Sequence, residues 1–157
     1  MRIEEKLRKL GLELPAPPRP SGSYIPVQII GMIAFTSGQT ARINGVRRYL
    51  GKIGREVSIE DGIKSARDAC LNCLSTLKAE LGDLDEIKKI IKIVGYVNSA
   101  PGFNQQPTVI NGASDLLQSL FEQNGMHARS AIGVAELPFD ASVELEMIVE
   151  ISKDIFA

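Results

Sequence analysis

The sequence predicts an α+β domain in the order β-β-α-β-α-β-β, with two long helices on one face of a mixed sheet. Three observations carry this expectation. Two stretches place apolar residues at helical spacing and end at Gly82 and at Asn124-Gly125; a long apolar run separates them; and pairs of short strands broken by turn residues lie at either end. At 157 residues the chain is one domain by length and can bury a core of its own.

The chain starts with an amphipathic pattern over residues 1–14, where Ile3, Leu7 and Leu10 fall at helical spacing before Gly11. The Pro15–Pro20 run stops it and forms a stiff connector. Residues 1–22 therefore read as an N-terminal extension and 23–157 as the domain, the extension lying on the domain or on a neighbouring subunit. From Tyr24 the apolar density rises through Ile25, Val27, Ile29 and Ile30, turns at Gly31 and continues from Met32 to Thr36, which is a hairpin.

Between Ala41 and Arg55 stand Arg42, Arg47, Arg48, Lys52 and Arg55, with no acidic residue among them. An anion or RNA patch is one reading; a solvated loop with short strands around Asn44-Gly45 is the plainer one, because Tyr49 is the sole aromatic there.

Ser58 followed by Asp61 reads as a helix start and Gly82 as its stop. Ile63, Ala66, Cys70, Cys73, Leu74, Leu77 and Leu81 trace the buried face between them. Cys70 and Cys73 form a C-x-x-C, but at mid-helix, on the apolar stripe and without a second ligand pair. They read as small core residues in a reducing compartment, not as a redox or metal site.

Ile87 to Asn98 reads as a long strand, Ser99 to Gln106 as a loop, and Pro107 or Thr108 to Gln123 as the second helix. The last strands are expected at about Arg129–Glu136 and Ser142–Ile151, paired as a hairpin about the Leu137-Pro138-Phe139-Asp140 turn. In the second of them Val143, Leu145, Met147, Val149 and Ile151 alternate with Glu144, Glu146, Ile148 and Glu150, the pattern of a half-buried strand.

Arg129 lies among small and apolar residues, where an unpaired guanidinium is costly, so it needs a carboxylate from the protein or from a ligand. In a hairpin Glu144 would stand nearer the turn by about four positions, roughly 13 Å. That distance excludes a direct ion pair. A small carboxylate ligand with a water, or a subunit boundary, would have to close the gap.

Several motifs occur in a recognisable order: Ser23-Tyr24 with Val27-Gln28, Phe35-Thr36-Ser37-Gly38-Gln39, Val109-Ile110-Asn111, and Ala128-Arg129-Ser130 with a Leu-Pro turn and Val143-Glu144-Leu145-Glu146-Met147. Together, from Tyr24 to Ile151, they resemble the RidA/YjgF family, also called L-PSP endoribonucleases, in a longer subgroup of chains. The resemblance implies a chorismate-mutase-like fold, homotrimers with clefts between subunits, and hydrolysis of 2-imino or 2-enamino acids such as 2-aminoacrylate to keto acids and ammonia.

On that resemblance Arg129 would hold the substrate carboxylate and Glu144 would position a water. Arginine suits the first task because its planar fork donates two parallel hydrogen bonds. Tyr24 would orient the substrate, Asn111 would support the site across an interface, and Ser37 and Gly38 would line it. Two positions depart from the family pattern: Ala131 stands where well-studied members carry cysteine, and His127 replaces a common proline. His127 is read as a proton carrier or as a surface residue.

Two further functions stay open at this point. A binding module for a keto acid needs Arg129 but not Glu144. An endoribonuclease, implied by the family's other name, ranks last: the chain has one histidine and a net charge of −1, which gives no bulk attraction to nucleic acid. No nucleotide or metal motif occurs, so no cofactor is expected. The apolar runs are short for a membrane span and the charged start does not resemble a secretory signal, so a cytoplasmic protein is the simplest expectation.

Overall fold

The computed structural model describes residues 2–152. Helix α1 (Arg2–Lys9) opens the chain, followed by strands β1 (Val27–Ile30), β2 (Ile33–Thr36), β3 (Gln39–Thr40), β4 (Arg42–Ile43) and β5 (Val46–Arg47). Helix α2 (Ile59–Leu81), strand β6 (Ile87–Asn98), helix α3 (Gln106–Phe121), and strands β7 (Ala128–Val134) and β8 (Val143–Ile151) complete it. The main sheet runs β1-β2-β8-β6-β7, with β3 continuing beside β8 after β2; β4 and β5 form a separate hairpin. The chorismate-mutase-like α+β architecture expected from the sequence is what is found.

Local chemistry explains the elements. Ser58 caps α2 by accepting the Asp61 amide at 3.1 Å, and Gly82 ends the helix with a positive φ of 84°. The Asn44-Gly45 turn, both residues at positive φ, closes the β4–β5 hairpin. Strand β8 alternates without a break, every second side chain from Val143 to Ile151 being buried.

Helices α2 and α3 and the inward row of β6 and β8 enclose the core, including Leu74, Leu77, Ile90, Ile93, Leu117 and Leu145. Each such side chain contributes about 1.5–3 kcal/mol by leaving water. Ile3 and Leu7 of α1 join the same core, whereas Leu10 is exposed. The first amides of α1 donate to the Asp85 carboxylate at 2.8 and 3.0 Å.

The hairpin expected between the last two strands is not formed. Strand β7 pairs in parallel with β6, Arg129 standing opposite Ile93, and β8 lies antiparallel on the other edge of β6, with Glu144 opposite Tyr96. The cause is the preceding helix: β6, α3 and β7 make a helical crossover, which joins parallel strands and leaves β6 between the two segments.

Candidate functional site

The expected site residues form two groups. Tyr24, Ser37, Gly38 and Glu144 line one cavity of about 460 Å³. Arg129, Asn111, His127 and Ala131 lie elsewhere, on and beside β7. Arg129 bonds to α3, on the helix side of the sheet, whereas Glu144 alternates with buried Val143 and Leu145 and so faces away from the helices. Two strand spacings and three register positions separate their backbones, about 14 Å. Within one copy they share no ligand.

The Glu144 group is shaped by a bulge. Phe35 pairs with Ile148 and Gln39 with Leu145, so four steps on one strand oppose three on β8, and the extra residue falls at Ser37-Gly38. Ser37 ties the bulge down, its hydroxyl donating to the Ile25 carbonyl at 2.7 Å and its amide to the Pro26 carbonyl at 2.8 Å. Gly38 leaves room for the Glu144 side chain: a Cβ there would lie 2.9 Å from Glu144 Cδ.

Among the described residues no group within the chain donates a hydrogen bond to the Glu144 carboxylate. Burial, and then the neighbouring Glu146, push its pKa above the ordinary glutamate value. Glu146 accepts from the Tyr96 hydroxyl at 2.7 Å, and that bond, with burial, pushes the Tyr96 phenol up to about 12. The Tyr24 hydroxyl accepts from the Ser21 amide at 3.3 Å.

The Arg129 group is a hydrogen-bonded chain. Arg129 Nη1 donates to Asn111 Oδ1 at 2.8 Å and to Ser114 Oγ at 3.2 Å. Ser114 Oγ stands 3.0 Å from His127 Nε2, and His127 Nδ1 is 2.6 Å from the Gly125 carbonyl. That carbonyl only accepts, so Nδ1 carries the proton, and in the neutral ring Nε2 accepts a hydrogen bond from the Ser114 hydroxyl. Half-buried His127 thus orients Ser114, and Ser114 with Asn111 holds one edge of the Arg129 guanidinium. The other edge remains available to a carboxylate. Ala131 packs against the core.

Sequence reasoning discounted or missed several neighbours of Glu144. Arg42 and Arg47 stand on the short, largely exposed strands expected around Asn44-Gly45, and from there they line its cavity together with Arg19 and Phe139. Arg47 stacks 3.9 Å over the Phe139 ring, and Phe139 takes a left-handed φ of 58°. The absence of acidic residues between Ala41 and Arg55 was the available signal. Ser114, one turn after Asn111, offered no comparable sign.

Cys70 and Cys73 are free and fully buried, as their place on the helix face implied. Burial raises both thiols, Cys73 to about 12. Among the described residues no cluster of three or more His, Cys, Asp or Glu could hold a metal ion, and no helix is long and apolar enough to cross a membrane.

A chorismate-mutase-like domain with a half-buried carboxylate in a cleft on one sheet face and a braced arginine on the other defines the class. The chain belongs to the family described as "YjgF/chorismate mutase-like, putative endoribonuclease", whose model matches residues 4–151. It is 40% identical over 152 residues to Protein TCP17 of Trypanosoma cruzi, covering 96% of this chain and 95% of that one. It is 28% identical over 141 residues to a 2-iminobutanoate/2-iminopropanoate deaminase of Dermatophagoides farinae, covering 89% and 94%. A crystal structure of a protein of unknown function from Agrobacterium tumefaciens superposes with a TM-score of 0.91 at 41% identity, covering 96% and 93%.

Proposed function

We propose that this protein hydrolyses small 2-imino and 2-enamino acids to 2-keto acids and ammonia, in clefts where the Glu144 face of one copy meets Arg129 of another. The observation behind this reading is the division of the site: an unpartnered carboxylate and a braced guanidinium, each on its own side of the sheet. The deaminase relative supports the chemistry.

An imine is already electrophilic, so the protein need only hold the substrate, place a water and move a proton. The open edge of the Arg129 fork binds the carboxylate. Glu144 takes a proton from water as its oxygen bonds to the imine carbon and passes that proton to nitrogen, giving the carbinolamine; it then carries the hydroxyl proton to nitrogen as the C–N bond breaks, so that the keto group forms and ammonia leaves. An enamine first takes a proton on carbon and gives one up from nitrogen to become the imine. The Tyr24 hydroxyl, already accepting from Ser21, keeps its own proton to donate to the substrate.

A homotrimer is the assembly we infer. The sheet face away from the helices exposes Phe35 and Ile132, and among the described residues β7 is a free edge strand. With both cysteines free and buried, we infer a cytoplasmic location.

Ammonia and keto-acid release from 2-aminoacrylate and 2-iminobutyrate generated in situ tests the activity, with Arg129→Ala alongside. Rates no faster than the uncatalysed reaction would overturn it. The separation of Arg129 from Glu144 also favours a second reading, a keto-acid binding module that uses Arg129 alone. Binding by a protein that turns over no imine would establish that one.

A further inference from the structure

Three arginines share the Glu144 cavity, and among the described residues no carboxylate lies within ion-pair distance of any of them. Their neighbours are paired: Arg48 with Asp68 at 3.3 Å, Lys52 with Glu136 at 3.3 Å and Arg55 with Glu56 at 2.5 Å. Arg19, Arg42 and Arg47 are the ones turned to the cleft.

Their placement is built into the fold. Arg42 and Arg47 are register partners across the Asn44-Gly45 turn, so one rigid hairpin presents both. Asn72, fully buried in α2, donates to the Thr40 carbonyl at 2.8 Å and to the Arg42 carbonyl at 2.7 Å, fixing the hairpin's root to the core. Arg42 Nε donates to the Gly45 carbonyl at 3.3 Å, which orients its guanidinium. Stacking on Phe139 engages the face of the Arg47 guanidinium and leaves its N–H edge for a ligand. Arg19 enters from the proline-rich segment.

We propose that the cleft selects a substrate with a second anionic group, a carboxylate or a phosphate, bound by Arg42 and Arg47 with Arg19 beside them. This rests on the deaminase reading for the reacting end of the molecule, whose first carboxylate belongs to Arg129 of another copy. The cleft would then offer two separate cationic anchors, the arrangement that distinguishes a dianion from a monoanion. The cavity volume agrees, because about 300–1,000 Å³ suits ligands well above the size of a three-carbon imino acid.

Calorimetry with three stable keto acids tests this: 2-oxobutyrate with one anionic group, 2-oxoglutarate with a second carboxylate, and phosphonopyruvate with a phosphonate. The wild type should bind at least one dianion about ten- to a hundredfold more tightly than 2-oxobutyrate. The favoured dianion identifies the second group. The Arg42→Gln/Arg47→Gln protein should lose that preference and bind 2-oxobutyrate as before; Arg42→Lys/Arg47→Lys should retain part of it. Thermal melts confirm that each variant is folded.

Loss of the preference in the glutamine variant, in a protein that turns over no imine, would sustain this inference and sink the deaminase reading. Imine turnover with equal affinity for mono- and dianions, or a preference that survives Arg42→Gln/Arg47→Gln, would do the reverse. Salt-sensitive binding of single-stranded RNA that disappears in the glutamine variant, with no discrimination among keto acids, would also overturn it, by giving these arginines to a nucleic acid.

Discussion

Glu144 folds its side chain over Gly38, where the β-bulge after β2 opens a space that any Cβ would fill. Gly38→Ala should therefore displace the carboxylate while leaving the fold intact, because the atoms it meets belong to a half-exposed side chain. Imine turnover should fall about 10²-fold, as a displacement of ~1 Å can cost that much. The melting temperature should hardly change. In a Glu144→Ala background the glycine substitution should add nothing further; an independent loss there would show that Gly38 acts by another route.

Glu144→Gln separates turnover from binding. Removing a positioned acid/base group should lower turnover by about 10² to 10⁴ while keto-acid affinity stays near the wild-type value. Arg129→Lys should weaken both together, since a point charge replaces a fork. Equal losses of affinity in the two variants would remove Glu144 from the chemistry.

The same substitution has a signature in stability. Glu144 is held above its ordinary value of 4.5, so between that value and the raised one the folded protein binds more protons than the unfolded chain, and stability falls as pH rises. At neutral pH the ionised carboxylate is a burden that Glu144→Gln removes. The variant should melt higher than wild type at pH 7, and the gain should vanish below about pH 4, where both states are protonated. Thermal melts across that range decide it; an unchanged difference from pH 4 to pH 7 would contradict the account.

Cys70 and Cys73 should resist alkylation in the native protein. Full burial keeps both thiols protonated at neutral pH, and the thiolate is the reactive form. Labelling should track unfolding; rapid modification under native conditions would mean that α2 opens locally.

Asn72→Ala should destabilise by about 2–4 kcal/mol, since it leaves the Thr40 and Arg42 carbonyls without their donor. A denaturant midpoint equal to wild type would show that water replaces the amide.

The fold was legible wherever the signal is local. Ser58 and Gly82 mark α2 because capping depends on a few consecutive residues, and the alternation of β8 names its buried face. Alternation does not name a strand's neighbour. The short Leu137–Asp140 connection suggested a hairpin, while the pairing was decided by the α3 crossover, which sends β7 back parallel to β6. Half of the site was readable as motifs; the other half was hidden by distance along the chain. Arg19, Arg42 and Arg47 come to share a cavity with Glu144 only after the sheet forms, and the charge run around two of them looks in isolation like any solvated loop. The brace formed by Ser114 and His127 depends on where α3 meets β7, which no periodicity encodes.

On the proposed assembly, the placement of Arg129 and Glu144 on opposite faces of one sheet would have a genetic consequence. A protein that builds each cleft from two copies can be revived by mixing two dead ones. Arg129→Ala chains retain Glu144 and Glu144→Ala chains retain Arg129, so co-expression would rebuild intact clefts where unlike copies meet. In a closed ring of three with random equal mixing, about a quarter of the clefts would be whole. Alleles that are each null would then complement one another, and a chain carrying both substitutions would rescue neither.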